Sequence, residues 1–507
     1  MAARRGRARA GTGAASHRGR RARRAGGARA GSAVTAGFRP RRFLVETWGC
    51  QMNELDSQRL AGQLMQQGLL PTRDPGEADL LLLNSCSVRE KAEHKVYSRL
   101  GEFRLLKRAR PQVRIGLCGC VAQQEGENAL ARVPELDFVL GPARVGELAQ
   151  LLPRLAAGER VVATGFPEER RYDFDAVSRV DAYKGMVTII EGCDKRCTFC
   201  IVPTTRGPER CRPLADVVAE VRHLLEFGFV EVELLGQTVN HWREPEGEAD
   251  FADLLDAVAP LPGLRRLRFV TSYPRDFTGR MVERLSRYPN ISDYLHLPVQ
   301  SGSDRTLRRM GRGYTAAEYQ DLASRIRQAR PTVALSTDLI VGFPGESDED
   351  FEATLGLLEA VRFAAVYAFC YSPRPGTPAL RLGAEVPAET AAERLQRLLD
   401  LQNRIQAEIN ATLVGTEKEV LVTGPGREPG QVVGRTSCHR IVHFRAGTGP
   451  EGRGSGPAAG SLVRVRVTRA LPHSLLGEPA AAADSPDATS ADSPESRQRS
   501  RRLPVVA

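Results

Sequence analysis

Residues 191–200 read Glu191-Gly192-Cys193-Asp194-Lys195-Arg196-Cys197-Thr198-Phe199-Cys200. Three cysteines in ten residues supply three thiolates to one small inorganic centre and withhold a fourth. A four-iron cluster held that way keeps one iron open for a substrate or cofactor. The stretch follows Met186-Val187-Thr188-Ile189-Ile190, an apolar run with the length of a buried strand. The cysteines are therefore predicted on a loop leaving the C-terminal end of a strand, the edge on which α/β folds build their sites. Cys211 offers a competing arrangement: as a fourth ligand it would complete a tetrahedral structural zinc site. The intervening 201–210, with Pro203, Gly207 and Pro208, permits that closure without forcing it, although zinc sites usually pair two C-x-x-C units. Disulfides are not expected, because the N-terminus carries no apolar signal segment and a reducing interior follows.

At 507 residues the chain is too long for one ordinary core, and about 150 residues per domain suggests roughly three. Its 41% hydrophobic content is ordinary for a globular protein. No run approaches the eighteen or so apolar residues of a membrane span, so a soluble protein without membrane partners is expected. The net charge of +11 belongs to one end. Residues 1–40 hold no acid but eleven arginines, and taking those from the 72 basic residues leaves 61, equal to the 61 acidic ones. This Arg/Ala/Gly tail cannot bury a core and is predicted to be disordered. It could clamp RNA phosphates, serve as an organellar transit segment, or be an incidental extension. A second disordered tail, rich in Ala, Ser, Asp and Pro, is predicted at 478–507.

From Arg42 strands and helices alternate. Phe43–Trp48, Asp79–Asn84 and Val113–Leu117 read as strands, and Asn53–Gln67 and Val88–Lys107 as helices between them, which is the pattern of a doubly wound parallel sheet. Cys50, Cys86 and Cys120 each fall one to a few residues beyond such a strand. Parallel strands end on one edge, so these three thiols are predicted to converge there. The plainer alternative is three unrelated buried thiols, and Cys118 competes with Cys120.

Between 184 and 413 a strand-then-helix unit recurs about six times, with strands near Val187, Val232, Leu267, Tyr294, Val333 and Ala365 and clear helices at Leu214–Phe227 and Pro387–Leu413. Without a sheet reversal this favours a barrel or partial barrel. From about Gly415 short alternating strands (417–422, 431–435, 440–444, 462–467) suggest a small β-barrel interrupted by a Gly-rich loop at 447–460. Its few aromatics favour phosphate and shape contacts with RNA over base stacking.

Thr47-Trp48-Gly49-Cys50-Gln51-Met52-Asn53, Asn84-Ser85-Cys86-Ser87-Val88-Arg89-Glu90-Lys91-Ala92, Gly119-Cys120-Val121-Ala122 and the 191–200 loop together resemble the motifs of the radical-SAM methylthiotransferases over about 42–479. The resemblance implies an α/β multidomain protein: a disordered tail 1–40, an auxiliary-cluster domain 41–157, a linker 158–183, a radical-SAM partial (β/α)6 barrel 184–413, a TRAM RNA-binding β-barrel 414–477 and a tail 478–507. It implies two [4Fe–4S] clusters, one on Cys50, Cys86 and Cys120 and the other on Cys193, Cys197 and Cys200, the open iron of the latter binding S-adenosylmethionine. It leaves Cys118 spare and Cys211 outside the ligand set. Cys370 and Cys438 read as buried or incidental thiols, and His241 and His296 as structural.

Placing sulfur on an unactivated aromatic carbon requires removing a hydrogen that no side-chain base takes at neutral pH; radical cofactors do so, and the protein binds and orients them. By the resemblance, one S-adenosylmethionine is cleaved reductively to abstract that hydrogen and a second donates the methyl group. The runs Leu235–Asn240, His296–Gly302 and Asp338–Glu346 end barrel strands, and with the triad loop they nominate Phe199, Gly236, Gln237, Gln300, Ser301 and Asp338 as contacts to S-adenosylmethionine. Glycines and polar caps are also ordinary turn residues at such places. The motifs around Cys50 and Cys86 most resemble the MiaB-type branch, which acts on tRNA carrying an isopentenyl adenosine. Methylthiolation at C2 of N6-dimethylallyladenosine 37 in the anticodon loop is then expected. Other branches act on threonylcarbamoyl adenosine or a ribosomal protein, and an iron–sulfur or zinc RNA-binding protein is the non-enzymatic alternative. A low-potential electron donor, a sulfur donor, a monomeric state and a cytoplasmic location complete the expectation, with a mitochondrial one if 1–40 is a transit segment.

Overall fold

The computed structural model describes residues 39–87, 90–168, 173–174, 177–445 and 456–480. The predicted tails lie outside these residues except for 39–40 and 478–480, as does most of the Gly-rich loop at 447–460.

Leu80–Ser85 is buried along its whole length, as a strand flanked by helices on both faces must be. It is β3 of a six-stranded parallel sheet with β1 Arg42–Trp48, β2 Leu70–Pro71, β4 Arg114–Gly119, β5 Phe138–Leu140 and β6 Val161–Ala163, in the order β2-β1-β3-β4-β5-β6. Leu80 and Leu82 pack with Phe43, Leu60, Leu64 and Leu148 on one face; Leu81 and Leu83 pack with Leu44, Val96, Leu100 and Phe103 on the other. The chain leaves β1 to one side for β2 and to the other for β3, so a topological switch point lies between the ends of β1 and β3. The three shortest strands went unseen in the sequence, being too brief to show a period of two.

Six further parallel strands, Lys184–Thr188, Glu231–Leu235, Arg266–Phe269, Tyr294–His296, Ala334–Val341 and Ala365–Cys370, follow one another in chain order. Three form one sheet and three another, and a parallel bridge between Leu267 and Ile291 connects them into a partial barrel. Val187, Val232, Leu234, Leu267, Leu335 and Leu339 point outward into a core shared with Val221, Leu224, Phe251, Leu322, Leu358 and Leu398 of the surrounding helices. Alternate residues turn inward, and the inner layer is charged: Lys184 reaches Glu233 at 2.6 Å, Arg268 reaches Glu233 at 3.6 Å and Arg266 reaches Glu231 at 3.5 Å.

One boundary differs from the sequence reading. The first barrel strand stops at Thr188, and a separate short strand, Ile190–Glu191, pairs antiparallel with Arg210–Cys211. The cysteine loop is thus the tip of a small hairpin at the barrel rim rather than a direct continuation of the strand.

The C-terminal barrel is closed by five strands, Glu417–Pro425, Gln431–Thr436, Ile441–Arg445, Leu462–Ala470 and Ser474–Pro479. The last was not foreseen, and it takes in Glu478 and Pro479, which the sequence reading gave to a disordered tail. Buried Leu475 and pairing to strands on both sides hold it, since an unclosed barrel would leave an edge exposed.

The turn 436–440 of this small barrel inserts at the N-terminal ends of the large barrel's strands. Ser292 Oγ donates to the Ser437 carbonyl at 2.6 Å, the Asp293 N–H donates to Ser437 Oγ at 2.9 Å, and Arg266 donates to the Arg435 carbonyl at 3.1 Å. Arg268 donates to His439 Nδ1, and the imidazole lies 5.1 Å from the Tyr294 ring. Burial, then Arg268, Arg435, Lys184 and Arg266, hold the His439 pKa far below its ordinary value, so the ring is neutral when folded. The unfolded chain takes up that proton near pH 6.5, so stability falls as pH drops below this, by up to about 1.4 kcal/mol per pH unit from this one group. Urea denaturation at pH 7.5 and 5.5 should show that loss, and His439→Gln should shrink it.

Candidate functional site

Cys50 precedes the helix Gln51–Gln66 in an extended conformation, its carbonyl accepting from the Glu54 N–H at 3.0 Å. Cys86 stands one residue beyond β3, its N–H bonded to the Trp48 carbonyl at 2.8 Å. Cys120 opens the helix Cys120–Glu125 directly after β4. Between them lies Gly119 at φ +88, where a Cβ would stand 2.2 Å from Asn84 Oδ1 and 2.6 Å from the Ser85 carbonyl, so only glycine allows β4 to end this close to β3. All three cysteines thus stand at the ends of adjacent parallel strands, two of them flanking the switch point.

Their electrostatics differ. Cys50 keeps accessible surface although it sits in a crevice ringed by protein. A hydrogen bond with Cys86, joined by Arg206 and by the backbone of Asn53 and Met52, outweighs burial and brings it down to about 6. Cys120 is pushed up by burial, with Arg206 opposing. One thiol is thereby favoured as the thiolate, and another would have to lose its proton on meeting a metal. Cys118 is wholly buried in the apolar layer with Leu82 and Leu140.

Two buried amides fasten this end of the sheet. Asn84 Nδ2 donates to the Asn53 carbonyl at 2.9 Å and to Ser57 Oγ at 2.8 Å, and Asn53 Nδ2 donates to Asn84 Oδ1 at 3.2 Å. Their role was missed in the sequence, although both lie in the quoted motifs; a polar residue beside an apolar strand end was the available signal. The hydroxyls of Ser85 and Ser87, flanking Cys86, are fully buried and without a hydrogen-bond partner among the described residues. Two orphaned O–H donors beside an all-thiol ligand set suit the sulfurs of an iron–sulfur cluster, which accept such bonds.

The second trio is held by the rim hairpin. Gly192 has φ +77, and a Cβ there would stand 2.1 Å from the Pro208 carbonyl; beside it the Cys193 N–H donates to the Gly207 carbonyl at 3.1 Å. The Thr198 N–H donates to the Met310 carbonyl at 2.9 Å, Thr198 Oγ1 to the Arg309 carbonyl at 2.8 Å, and the Ala379 N–H to the Thr198 carbonyl at 2.9 Å. Gly192→Ala therefore meets both backbone strain and a backbone clash. It should leave the fold's circular dichroism unchanged while anaerobic reconstitution loses the iron and sulfide of one cluster.

Burial raises Cys193 and lifts Cys200 to about 12, with the neighbouring thiols adding to both. Arg312, absent from the sequence reading, donates to Cys197 Sγ at 3.3 Å. It is fixed by Tyr314 Oη and the Pro298 carbonyl, both at 2.8 Å, and lies over Tyr273. Cys211 accepts instead from the Arg243 N–H at 3.3 Å and neighbours Glu209 and Glu244. Among the described residues no three His, Cys, Asp or Glu side chains are arranged for a single metal ion.

The nominated contacts to S-adenosylmethionine occupy the barrel rim in different ways. Gly236 abuts the hairpin, where a Cβ would stand 2.2 Å from Ile190 Cγ2. Gln237 has a buried Oε1 without a partner. Gln300 sits at φ 77, its N–H bonded to the Asp338 carbonyl at 2.9 Å. Asp338 accepts from His296 at 3.4 Å, and Phe199 lies edge-on to Phe343 at 6.3 Å. The Ser301 hydroxyl is engaged by Thr354 Oγ1 of the helix Asp348–Val361 at 3.3 Å and by the Ser303 N–H at 3.2 Å. His241 is paired with Glu209 at 2.5 Å, Cys370 donates to the Ala391 carbonyl at 3.6 Å, and Cys438 contacts Thr436 Oγ1 at 3.1 Å.

The two trios are joined by buried charge. Arg206, on the helix Val202–Arg206 that follows Cys200, pairs with Asp56 Oδ2 at 2.8 Å. Arg59 lies 3.7 Å from Asp56 and 3.5 Å from Glu191 and donates to Thr188 Oγ1 at 3.1 Å. Met52 and Leu55 pack on Met186, Leu235 and Val270 of the barrel.

Residues 42–141 match the family described as Uncharacterized protein family UPF0004, residues 187–358 the Radical SAM superfamily and residues 411–480 the TRAM domain. A tRNA-2-methylthio-N(6)-dimethylallyladenosine synthase of Anaeromyxobacter dehalogenans is 48% identical over 447 residues, covering 86% of this chain and 94% of its own length. One from Burkholderia thailandensis is 44% identical over 446 residues, covering 86% and 97%. Among solved structures, the radical S-adenosylmethionine methyltransferase TsrM of Kitasatospora setae is 15% identical with a TM-score of 0.48, covering 76% of this chain and 79% of its own.

Proposed function

The chain belongs to the tRNA-2-methylthio-N(6)-dimethylallyladenosine synthase family of radical-SAM enzymes, and from that premise we propose which residues carry its chemistry. The enzyme is a tRNA methylthiotransferase: it places a methylthio group on C2 of N6-(dimethylallyl)adenosine 37, using [4Fe–4S] clusters and S-adenosylmethionine. Those cofactors supply the hydrogen abstraction, sulfur and methyl group that no side chain can provide.

In this reading Cys193, Cys197 and Cys200 hold the cluster that binds S-adenosylmethionine, and Cys50, Cys86 and Cys120 hold the one that handles sulfur. The observation that carries it is the nearness of the thiols within each trio, one at the ends of adjacent parallel strands and the other on the hairpin at the barrel rim, with Arg206 spanning from one to the other. Arg312 steadies Cys197, and Ser85 and Ser87 offer hydroxyls to the second centre. Phe199, Gly236, Gln237, Gln300 and Asp338 present the rim to S-adenosylmethionine; Ser301 contributes through the shape of its turn. The target base lies in a single-stranded loop, where extrusion costs only a few kcal/mol. Exposed Arg464 and Arg466 of the small barrel meet its phosphates.

Two S-adenosylmethionine molecules are consumed per product, a low-potential donor reduces the first cluster, and a separate donor replenishes sulfur. The protein works as a monomer in the cytoplasm, where tRNA is found. The bacterial relatives lend no support to a mitochondrial location. Among the described residues no helix is long and apolar enough to cross a membrane.

Nucleoside mass spectrometry of tRNA from cells with and without the gene tests the reaction: the 2-methylthio nucleoside should vanish and its dimethylallyl precursor accumulate. Iron and labile sulfide for two clusters are expected after anaerobic reconstitution; zinc without sulfide would refute the ligand assignment.

A further inference from the structure

Arg206 is carried by one half of the site and buried in the other. It ends the five-residue helix Val202–Arg206 that begins two residues after Cys200, yet its side chain is 5% exposed and its guanidinium lies against Asp56, Cys50 and Cys120 of the neighbouring domain. Asp56 is itself 1% exposed and sits on the helix that Cys50 precedes. A charged side chain is not buried without partners, and the groups acting on the cationic end here include the Asp56 and Glu191 carboxylates and the sulfurs of Cys50 and Cys120. Once those sulfurs are iron ligands the centre they hold carries negative charge, and Arg206 is the cation beside it.

We propose that Arg206 is a positioning residue that sets the reduction potential of the cluster on Cys50, Cys86 and Cys120, with Asp56 as the counter-charge that tempers it. A neighbouring cation favours the reduced, more negative state of an iron–sulfur cluster, and hydrogen bonds to its sulfurs act the same way. Because Arg206 is delivered by the segment that follows the other cysteine trio, the potential of the sulfur-handling centre depends on the barrel being docked against it. The sulfur centre is thereby tuned only in the assembled site.

This inference rests on the ligand assignment proposed above, and the test separates the two. In full-length protein whose Cys193, Cys197 and Cys200 are all alanine, anaerobic reconstitution should load the remaining cluster alone. Iron and sulfide counting verifies this, and a protein that takes up no cluster would refute both the assignment and the inference. With that cluster in place, its midpoint potential is followed by electron paramagnetic resonance during a redox titration. Arg206→Gln should shift the potential downward, Arg206→Lys should keep it near that of the parent, and Asp56→Asn, which frees the guanidinium from its counter-charge, should shift it upward. A merely structural role would alter cluster content or thermal stability without these opposite shifts. If Arg206→Gln fails to hold the cluster, the Asp56→Asn and Arg206→Lys results decide. An unchanged or lowered potential in Asp56→Asn, or loading of Arg206→Gln with no shift, overturns the proposal.

Discussion

Cys197→Ala should abolish reductive cleavage of S-adenosylmethionine and formation of the methylthio nucleoside together. Of its trio, Cys197 is the thiol that Arg312 clamps at 3.3 Å, and the loop around it is held at Thr198 by Met310, Arg309 and Ala379. No spare thiol replaces it: Cys211 is turned to the Arg243 N–H on the far strand of the hairpin. Without three ligands a four-iron cluster has no stable seat, and the reaction falls toward the uncatalysed rate, a loss of at least about 10⁶-fold. The measurement is 5′-deoxyadenosine by mass spectrometry after chemical reduction. Cleavage within about tenfold of the parent, on the same rate scale, would mean that another cysteine set binds S-adenosylmethionine.

Cys86→Ala separates the two halves of the chemistry. Alanine retains the backbone bond from residue 86 to the Trp48 carbonyl, so β1 and β3 stay aligned, but one thiol of the proposed sulfur-handling centre is gone. Cys50 also loses the hydrogen bond that dominates its low pKa and becomes a poorer thiolate at neutral pH. Methylthio product should therefore fall below detection while 5′-deoxyadenosine still forms, reduced by no more than about tenfold because the barrel's own trio is untouched. Full product from this variant would remove the second cluster from the ligand assignment.

Much of this architecture was legible because the strands that carry the cysteines are strongly apolar. Leu80–Leu83 could hardly be other than a doubly covered strand, and the cysteines after β1, β3 and β4 then had to share an edge. What escaped has physical reasons. Strands such as Val161–Ala163 are too short for a period to register. Ser474–Pro479 is a strand only because the barrel needs a fifth partner to close. Arg206 and Arg312 carried no signal in the sequence, since burial of a charge depends on acceptors contributed by segments up to about 150 residues away. Ser301 shows the converse: the sequence marks a polar residue at a strand end but not that Thr354 and the Ser303 N–H engage its hydroxyl.

The turn at Ser437–His439 sits across the N-terminal ends of strands of the large barrel. The module that carries exposed Arg464 and Arg466 is thereby fastened to the base of that barrel, so the surface proposed to meet RNA phosphates and the floor beneath the reaction site share one set of hydrogen bonds. A pull transmitted through that module would be felt first at Ser292 and Asp293, directly ahead of the barrel strand Tyr294–His296.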